Sequence, residues 1–250
     1  MTRSTASPLI SVMLTVHNCA RYLGEAVESV LNQKYRPVEF ILVDDGSDDG
    51  SGEVAKEYLP RLRYEYQPRM GMGAARNRAV SFARGSFFAF LDADDRFTPD
   101  KLGCQMAAFE RDPSLDVVFG HVREFLSPDL EEQTARRLRR PADRTLGHFA
   151  AAMLIRRKAF FRVGPFATTL KVGIGLDWYA RATEQKLKSL MVEEIVVERR
   201  LHSSNTGLRE RSSHVQYVQV LKASLDRRRT GRPSTGMPPV HTDLSSSQAG

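Results

Sequence analysis

Over its first 120 residues the chain alternates short apolar runs with longer amphipathic ones. LISVMLTV is apolar and β-branched, which predicts a strand, and ARYLGEAVESVLNQ sets Leu23, Ala26, Val27, Val30 and Leu31 at helical spacing. VEFILVDDGS predicts the next strand, SGEVAKEYL a second helix and RLRYEYQ a short strand. GAARNRAVSFARG predicts a helix closed by Gly85 in the residue position just past its end. FFAFLD then reads as a strand, Pro99 opens a helix running to about Glu110, and LDVVFGHVREF returns to β. This β–α alternation predicts an α/β domain: a mixed, mainly parallel central sheet flanked by helices.

The second half follows a different rhythm. GHFAAAMLIRRKAFFRVGPF predicts a buried strand and a short helix, LDWYARATEQK a helix, and SLMVEEIVVERRLH a strand ending at His202. Residues 208 to about 229 predict a terminal helix in which Val215, Val218, Val220, Leu221 and Leu225 are available for packing. From Thr230 the chain is rich in Pro, Ser and Gly without core-forming periodicity, which predicts a disordered tail over 230–250. The expected organisation is a single domain over 1–229. Its parts are a first half at about 8–120, a second half at about 121–207 and the helix at 208–229.

Composition narrows this picture only in places. A chain of 250 residues with 41% hydrophobic and 27% charged content suits one soluble domain of this size. Cys19 and Cys104 form no disulfide framework and lack zinc-ligand spacing, so a reducing, cytoplasmic setting is expected. Neither a signal peptide nor a bilayer-spanning run is expected. The formal charge of +7 is concentrated: residues 227–250 carry a net +3, and Arg136, Arg137, Arg139, Arg140 and Arg144 cluster in one stretch. These runs read as solvated surface. The alternatives are a mobile phosphate-contacting loop and weak peripheral attachment to anionic lipid at the inner membrane face, and specific nucleic-acid binding is not expected.

Candidate chemistry gathers where strands end. In open α/β sheets the ligand crevice lies outside the carboxyl ends of the strands. Three apolar runs here end in polar clusters: His17 and Asn18, then Asp44 and Asp45, then Asp92, Asp94 and Asp95. Crowded carboxylates repel unless a cation joins them, and Mg²⁺-type ions take one or two protein carboxylates and fill the remaining positions with water and phosphate oxygens. The spacing Asp92-Ala93-Asp94 allows that arrangement. Asp48 and Asp49 read as turn and capping residues, since a calcium loop begun at Asp45 would need an acidic residue where Lys56 stands. Gly71 to Gly73 complete neither a phosphate loop nor a dinucleotide fingerprint.

Taken together, SVMLTVHNCARYLGEAVESVLNQKY, ILVDDGSDDGS, GMGAARNRAVSFARGSFFAFLDADD, MLIRRKAFFRVGPF and RRLHSSNTG resemble the family 2 glycosyltransferases with the GT-A fold. The resemblance covers roughly residues 9–207, and it implies that the half at about 8–120 binds the nucleotide-sugar and the half at about 121–207 forms the acceptor side. It implies inverting transfer of a sugar from a nucleoside-diphosphate sugar, with a UDP-sugar as the expected donor, assisted by Mn²⁺ or Mg²⁺. The acceptor is left open among glycan, lipid-linked intermediate, peptide and small metabolite. By resemblance, Thr15, His17 and Asn18 line the nucleoside pocket, one of Asp44 and Asp45 bonds the donor base, and Arg76 and Asn77 start a donor-side helix. Asp92, Ala93 and Asp94 form the donor and metal motif, with Asp94 and Asp92 as metal ligands and His202 approaching the metal or diphosphate beside Arg199 or Arg200.

One position departs from the family. Its usual acidic pair falls on Ile174 and Gly175, leaving Asp177 as the nearest candidate base if that segment is still a loop, or a helix-start carboxylate if it is not. A donor-binding protein with impaired catalysis is therefore the alternative reading. A nucleotidyltransferase is a further one, disfavoured because TVHNCARYL lacks a Gly-rich, basic phosphate-binding turn. Trp178 is equally open to sugar stacking and to packing.

Overall fold

The computed structural model describes residues 7–128, 130, 141–203, 205 and 215–230. Its order is β1 (Ile10–Val16), α1 (Ala20–Leu31), β2 (Val38–Asp45), α2 (Ser51–Lys56), β3 (Arg63–Gln67), α3 (Met72–Phe82), β4 (Phe87–Asp92), β5 (Arg96–Phe97) and α4 (Lys101–Arg111). After these come β6 (Val117–Leu126), β7 (Thr145–Leu146), a 3-10 turn (Ala150–Ala152), β8 (Met153–Arg156), α5 (Arg157–Val163), α6 (Ile174–Glu184), β9 (Ser189–Leu201) and α7 (Val215–Thr230). Among the described residues the strands form one sheet of nine in the order β3-β2-β1-β4-β8-β6-β9-β5, with β7 paired to β6.

Strands β3, β2, β1 and β4 are mutually parallel. β8 runs antiparallel to both β4 and β6, and β6 is parallel to β9, so β9 points the same way as β4. The C-terminal ends of β1, β2, β4 and β9 therefore share one edge of the sheet. Connections leave β1 toward β2 and return to its other side at β4, which makes the β1/β4 junction the switch point where such sheets bind ligands.

Side-chain alternation explains why β1 is buried along its whole length. Ile10, Val12, Leu14 and Val16 join one core with α1 residues Leu23, Ala26, Val27 and Val30 and α4 residues Leu102, Met106 and Phe109. Met13 faces the opposite core, with Ala75, Ala79 and Val80 of α3, Phe160 of α5 and Trp178 of α6. Trp178 is a packing residue: it is 2% exposed, stacks on Phe160 and donates from Nε1 to Gly164 O at 3.0 Å.

The elements match their expected positions closely, and the short strands β5 and β7 are additions to them. Helix α3 ends at Ala83 in extended conformation, so Gly85 does not close it. A Cβ at Gly85 would lie 2.6 Å from Ser11 N, so glycine there permits close passage beside β1. Pro99 lies ahead of the N-cap of α4, Asp100. Of the apolar residues offered by the last helix only Val220 is buried, while Val215, Val218, Leu221 and Leu225 are exposed. The expected tail beyond residue 230 and the arginines at 136–140 lie outside the described residues.

One buried charge has a consequence for stability. Lys101 is 0% exposed, donates to Gln105 Oε1 at 2.7 Å and lies 4.7 Å over the Phe97 ring, and burial pushes its pKa down from 10.5 to about 7. Between those values the unfolded chain holds a proton that the native chain does not, so stability is expected to rise with pH, by up to about 1.4 kcal/mol per unit. It is lost as pH falls through about 7. Urea unfolding at pH 7 and 9.5 should show this rise in wild type and its loss in Lys101→Met; identical pH dependence in both proteins would contradict it.

Candidate active site

A cleft of about 810 Å³ opens at the shared edge, lined by the ends of β1, β2 and β4, the loop before α3, residues 168–171, and His202 with Ser203 after β9. The loops after β1 and β2 are tied together. Asn18 exchanges hydrogen bonds with Asp48 at 2.8 and 3.0 Å, and Asp49 accepts from Ala20 N at 2.9 Å, capping α1 from outside. Asp48 and Asp49 thus act as turn and capping groups. Thr15, His17 and Asn18 all line the cleft. His17 Nδ1 is buried without a hydrogen-bond partner among the described residues.

The acidic pair after β2 divides, because adjacent strand residues point to opposite faces. Asp45 lines the cleft and accepts from Gln67 Nε2 at 2.7 Å and from Met70 N and Gly71 N at 2.8 Å each, which holds the loop leading into α3. Asp44 turns away and is 1% exposed, accepting from Tyr64 Oη at 3.0 Å and Ser47 N at 2.9 Å. Of the two, Asp45 is the one that faces the cleft.

Helix α3 carries the opposite wall. Asn77 bonds both backbone groups of Phe166 at 2.9 Å, and a Cβ at Gly73 would lie 2.1 Å from Ala167 O. These contacts bring residues 166–171 against the donor-side helix across some ninety positions of sequence. Arg76 is buried beneath the cleft and donates to Asp92 Oδ1 at 2.5 Å.

The three carboxylates after β4 have different fates. Asp92 faces the cleft with its charge offset by Arg76. Asp95 is buried and accepts from Arg200 N at 3.0 Å, and burial, then the Asp94 and Asp92 carboxylates, push its pKa upward. Asp94 faces the cleft with Oδ2 at 3.0 Å from His202 Nε2 and 3.3 Å from Asn205 Nδ2. Burial, then Asp94, also raise the pKa of the neighbouring Cys19 thiol, which keeps it protonated and non-nucleophilic.

The Asp94–His202 pair fits a divalent cation as a half-site. A carboxylate and an imidazole converge at the end of β4 and the end of β9, and both face open cleft into which phosphate oxygens and water can complete a coordination sphere. Among the described residues no group of three or more acidic, His or Cys side chains could hold a metal, so a cation here depends on those outside ligands. Asp92, with Oδ1 engaged by Arg76, offers only its second oxygen.

Two expected residues lie elsewhere. Arg199 points away from the cleft and pairs with Glu124 at 3.4 Å. Its neighbour Arg200, 2% exposed, donates to Asp94 O at 3.1 Å and to Glu25 at 2.8 Å, and so supports the acidic turn from below. Asp177 sits in the first turn of α6, its N–H donating to Gly173 O at 2.9 Å and its carboxylate held by Arg181 at 2.9 Å. The segment is helical from Ile174, not the loop that a base at this position requires, and Asp177 is not among the cleft-lining residues. Arg69, Met70, Thr168, Thr169 and Lys171 line the cleft without a motif to announce them.

The profile of Glycosyl transferase family 2 matches residues 11–172. An uncharacterized glycosyltransferase of Rickettsia typhi is 28% identical over 82% of this chain and 68% of its own length. A chondroitin synthase of Escherichia coli is 36% identical over 45% of this chain but only 17% of that protein, and one from Pasteurella multocida is covered over 24% of its length. Among solved structures, S. aureus TarS 1–349 in complex with UDP-GlcNAc superposes with a TM-score of 0.69 at 18% identity, covering 86% of this chain and 65% of that one. The mannosyltransferase PcManGT from Pyrobaculum calidifontis, in complex with GDP-Man and Mn²⁺, gives 0.66 at 18% identity, covering 89% and 65%. The sheet and its helices have the GT-A fold of these neighbours. By the profile match over most of its length, this chain belongs to glycosyl transferase family 2.

Proposed function

We propose that the cleft binds a nucleoside-diphosphate sugar, with a UDP-sugar as first candidate, and transfers the sugar with inversion to an acceptor. The observation that carries this reading is the Asp94–His202 pair facing open cleft at the sheet's switch point. UDP-GlcNAc and GDP-Man in the structural neighbours support a nucleotide-sugar donor. A divalent cation, Mn²⁺ or Mg²⁺, would be held by Asp94 and His202 and would supply charge neutralisation for a departing diphosphate. The protein's own groups would do the rest. Thr15, His17 and Asp45 frame the nucleoside side, Arg76 fixes Asp92 beside the sugar, and residues 168–171 bound the acceptor side. In the transfer the bond from anomeric carbon to phosphate oxygen breaks, an acceptor nucleophile attacks from the opposite face, and its proton must leave to a base or to solvent.

Impaired transfer with retained donor binding is kept as a second reading, because Ile174 and Gly175 stand at the family's acidic pair and Asp177 is bound to Arg181. Asp177→Asn is expected to change nucleotide release less than about twofold while costing about 1 kcal/mol of stability through the weakened ion pair. Gly175→Asp separates the readings, since a Cβ there comes no closer than 3.9 Å to Phe149. If transfer is intact, wild type turns over with at least one acceptor and the substitution adds little; a rise of tenfold or more in Gly175→Asp would favour impairment. A thermal-shift panel of nucleoside-diphosphate sugars with and without Mn²⁺ tests donor binding itself, because a ligand that binds only the native state raises Tm. No stabilisation by any member would sink the reading.

A further inference from the structure

Among the described residues, helix α7 is fastened along one side. Inward, Val220 is buried, and Ser224 Oγ and Arg227 Nε each donate to Glu184 at 2.7 Å. Gln216 Oε1 accepts from Lys171 N at 2.8 Å and Val172 N at 3.1 Å. The helix is thereby fastened to the same segment that walls the cleft.

Its outward side carries an apolar stripe among charged residues. Val218, Leu221 and Leu225 are 64%, 53% and 53% exposed, and their i, i+3, i+7 spacing draws them into one stripe. At about 100° per residue, Arg228 falls on one flank of this stripe and Arg229 and Lys222 on the other, while Asp226 falls beyond Lys222, outside the stripe. Arg227 is engaged by Glu184 and does not belong to this face. No described helix is long and apolar enough to cross a membrane, and α7, at 16 residues, is about 24 Å long.

We propose that this face of α7 docks on an anionic lipid surface. The helix lies in the surface plane, with Val218, Leu221 and Leu225 dipping into the headgroup boundary and Lys222, Arg228 and Arg229 meeting the phosphates. Charge selects this occupant. A second copy meeting the stripe with its own would oppose one set of cationic flanks to another, whereas anionic headgroups complement both flanks at once. The proposal does not depend on the transfer reading, although it brings the cleft wall at 168–171 within one helix of the lipid.

The test uses the full chain with vesicles of phosphatidylcholine alone or with about three parts in ten phosphatidylglycerol. Co-sedimentation should show binding at least tenfold tighter to the anionic vesicles, weakening from 0.1 to 0.5 M salt. Leu221→Asp with Leu225→Asp, and separately Arg228→Glu with Arg229→Glu, should each lower it tenfold or more. Leu221→Trp should shift its emission to shorter wavelength with anionic vesicles only. All of these residues lie outside the cleft, so nucleotide binding in solution should remain at the wild-type level, and a wild type that binds no nucleotide would count against the transfer reading alone. Equal binding to both vesicles, or binding that survives both double substitutions, would overturn the proposal. Conversion of a dimer to a monomer by Leu221→Asp with Leu225→Asp would overturn it in favour of a second copy. Vesicle binding that appears only after removal of 231–250 would overturn it in favour of the chain's own tail.

Discussion

Asp94→Asn is expected to lower Mn²⁺-dependent affinity for a nucleoside diphosphate by at least about a hundredfold, with affinity in EDTA nearly unchanged. Charge distribution over the acidic turn sets this size. Arg76 offsets Asp92, and Asp95 is buried with its pKa raised, so Asp94 is the carboxylate whose charge is left to meet a cation in the cleft. Asparagine keeps the shape and one carbonyl oxygen while removing the charge, so the fold should tolerate it. His202→Ala should act in the same direction with a smaller effect, since one neutral ligand is lost. Titration calorimetry with UDP, in Mn²⁺ and in EDTA, reads both variants directly. Preserved Mn²⁺ dependence in Asp94→Asn would remove the proposed half-site.

Gly73→Ala should have the largest effect on stability. The added methyl group would lie 2.1 Å from Ala167 O, a backbone atom that cannot swing aside as a side chain could. Either α3 or residues 166–171 must shift, against the two hydrogen bonds by which Asn77 holds Phe166. Overpacking of this kind costs about 2–3 kcal/mol. It also displaces a wall of the cleft, so donor affinity should fall together with Tm. Wild-type stability and affinity in this variant would mean that the packing of α3 against the acceptor-side segment is looser than described.

The strands and helices were largely legible because their burial repeats with period two or near 3.6. β1 shows why: its apolar run serves two cores at once, and α1 shows its stripe at Leu23, Ala26, Val27 and Val30. Strand ends were legible for the same reason, since polar clusters cut off apolar runs abruptly. Strand alternation resolves two pairs that sequence leaves open. Asp45 faces the cleft and Asp44 does not, while Arg199 turns toward Glu124 and Arg200 is buried under the acidic turn. Burial along the strand does not choose within the first pair, because Leu42 and Val43 are buried alike.

Contacts between distant segments were not legible. Asn77 with Phe166 and Gly73 with Ala167 arise where α3 meets a loop far along the chain, and no local pattern signals them. Asp177 was ambiguous because a carboxylate at a helix start and one in a catalytic loop look alike in sequence; the partner four residues on, Arg181, favours the helix. The outer face of α7 misleads in the other direction, since apolar residues at helical spacing normally signal a core, and here Val218, Leu221 and Leu225 are more than half exposed.

Product analysis tests the central claim most directly. Purified protein is incubated with UDP-sugars and Mn²⁺, with and without acceptor mixtures, and in parallel with nucleoside triphosphates and sugar phosphates. The account predicts UDP release that requires Mn²⁺ and a transferable sugar and that is absent from Asp94→Asn. Pyrophosphate release from a nucleoside triphosphate, or UDP release that persists undiminished in Asp94→Asn, would contradict it.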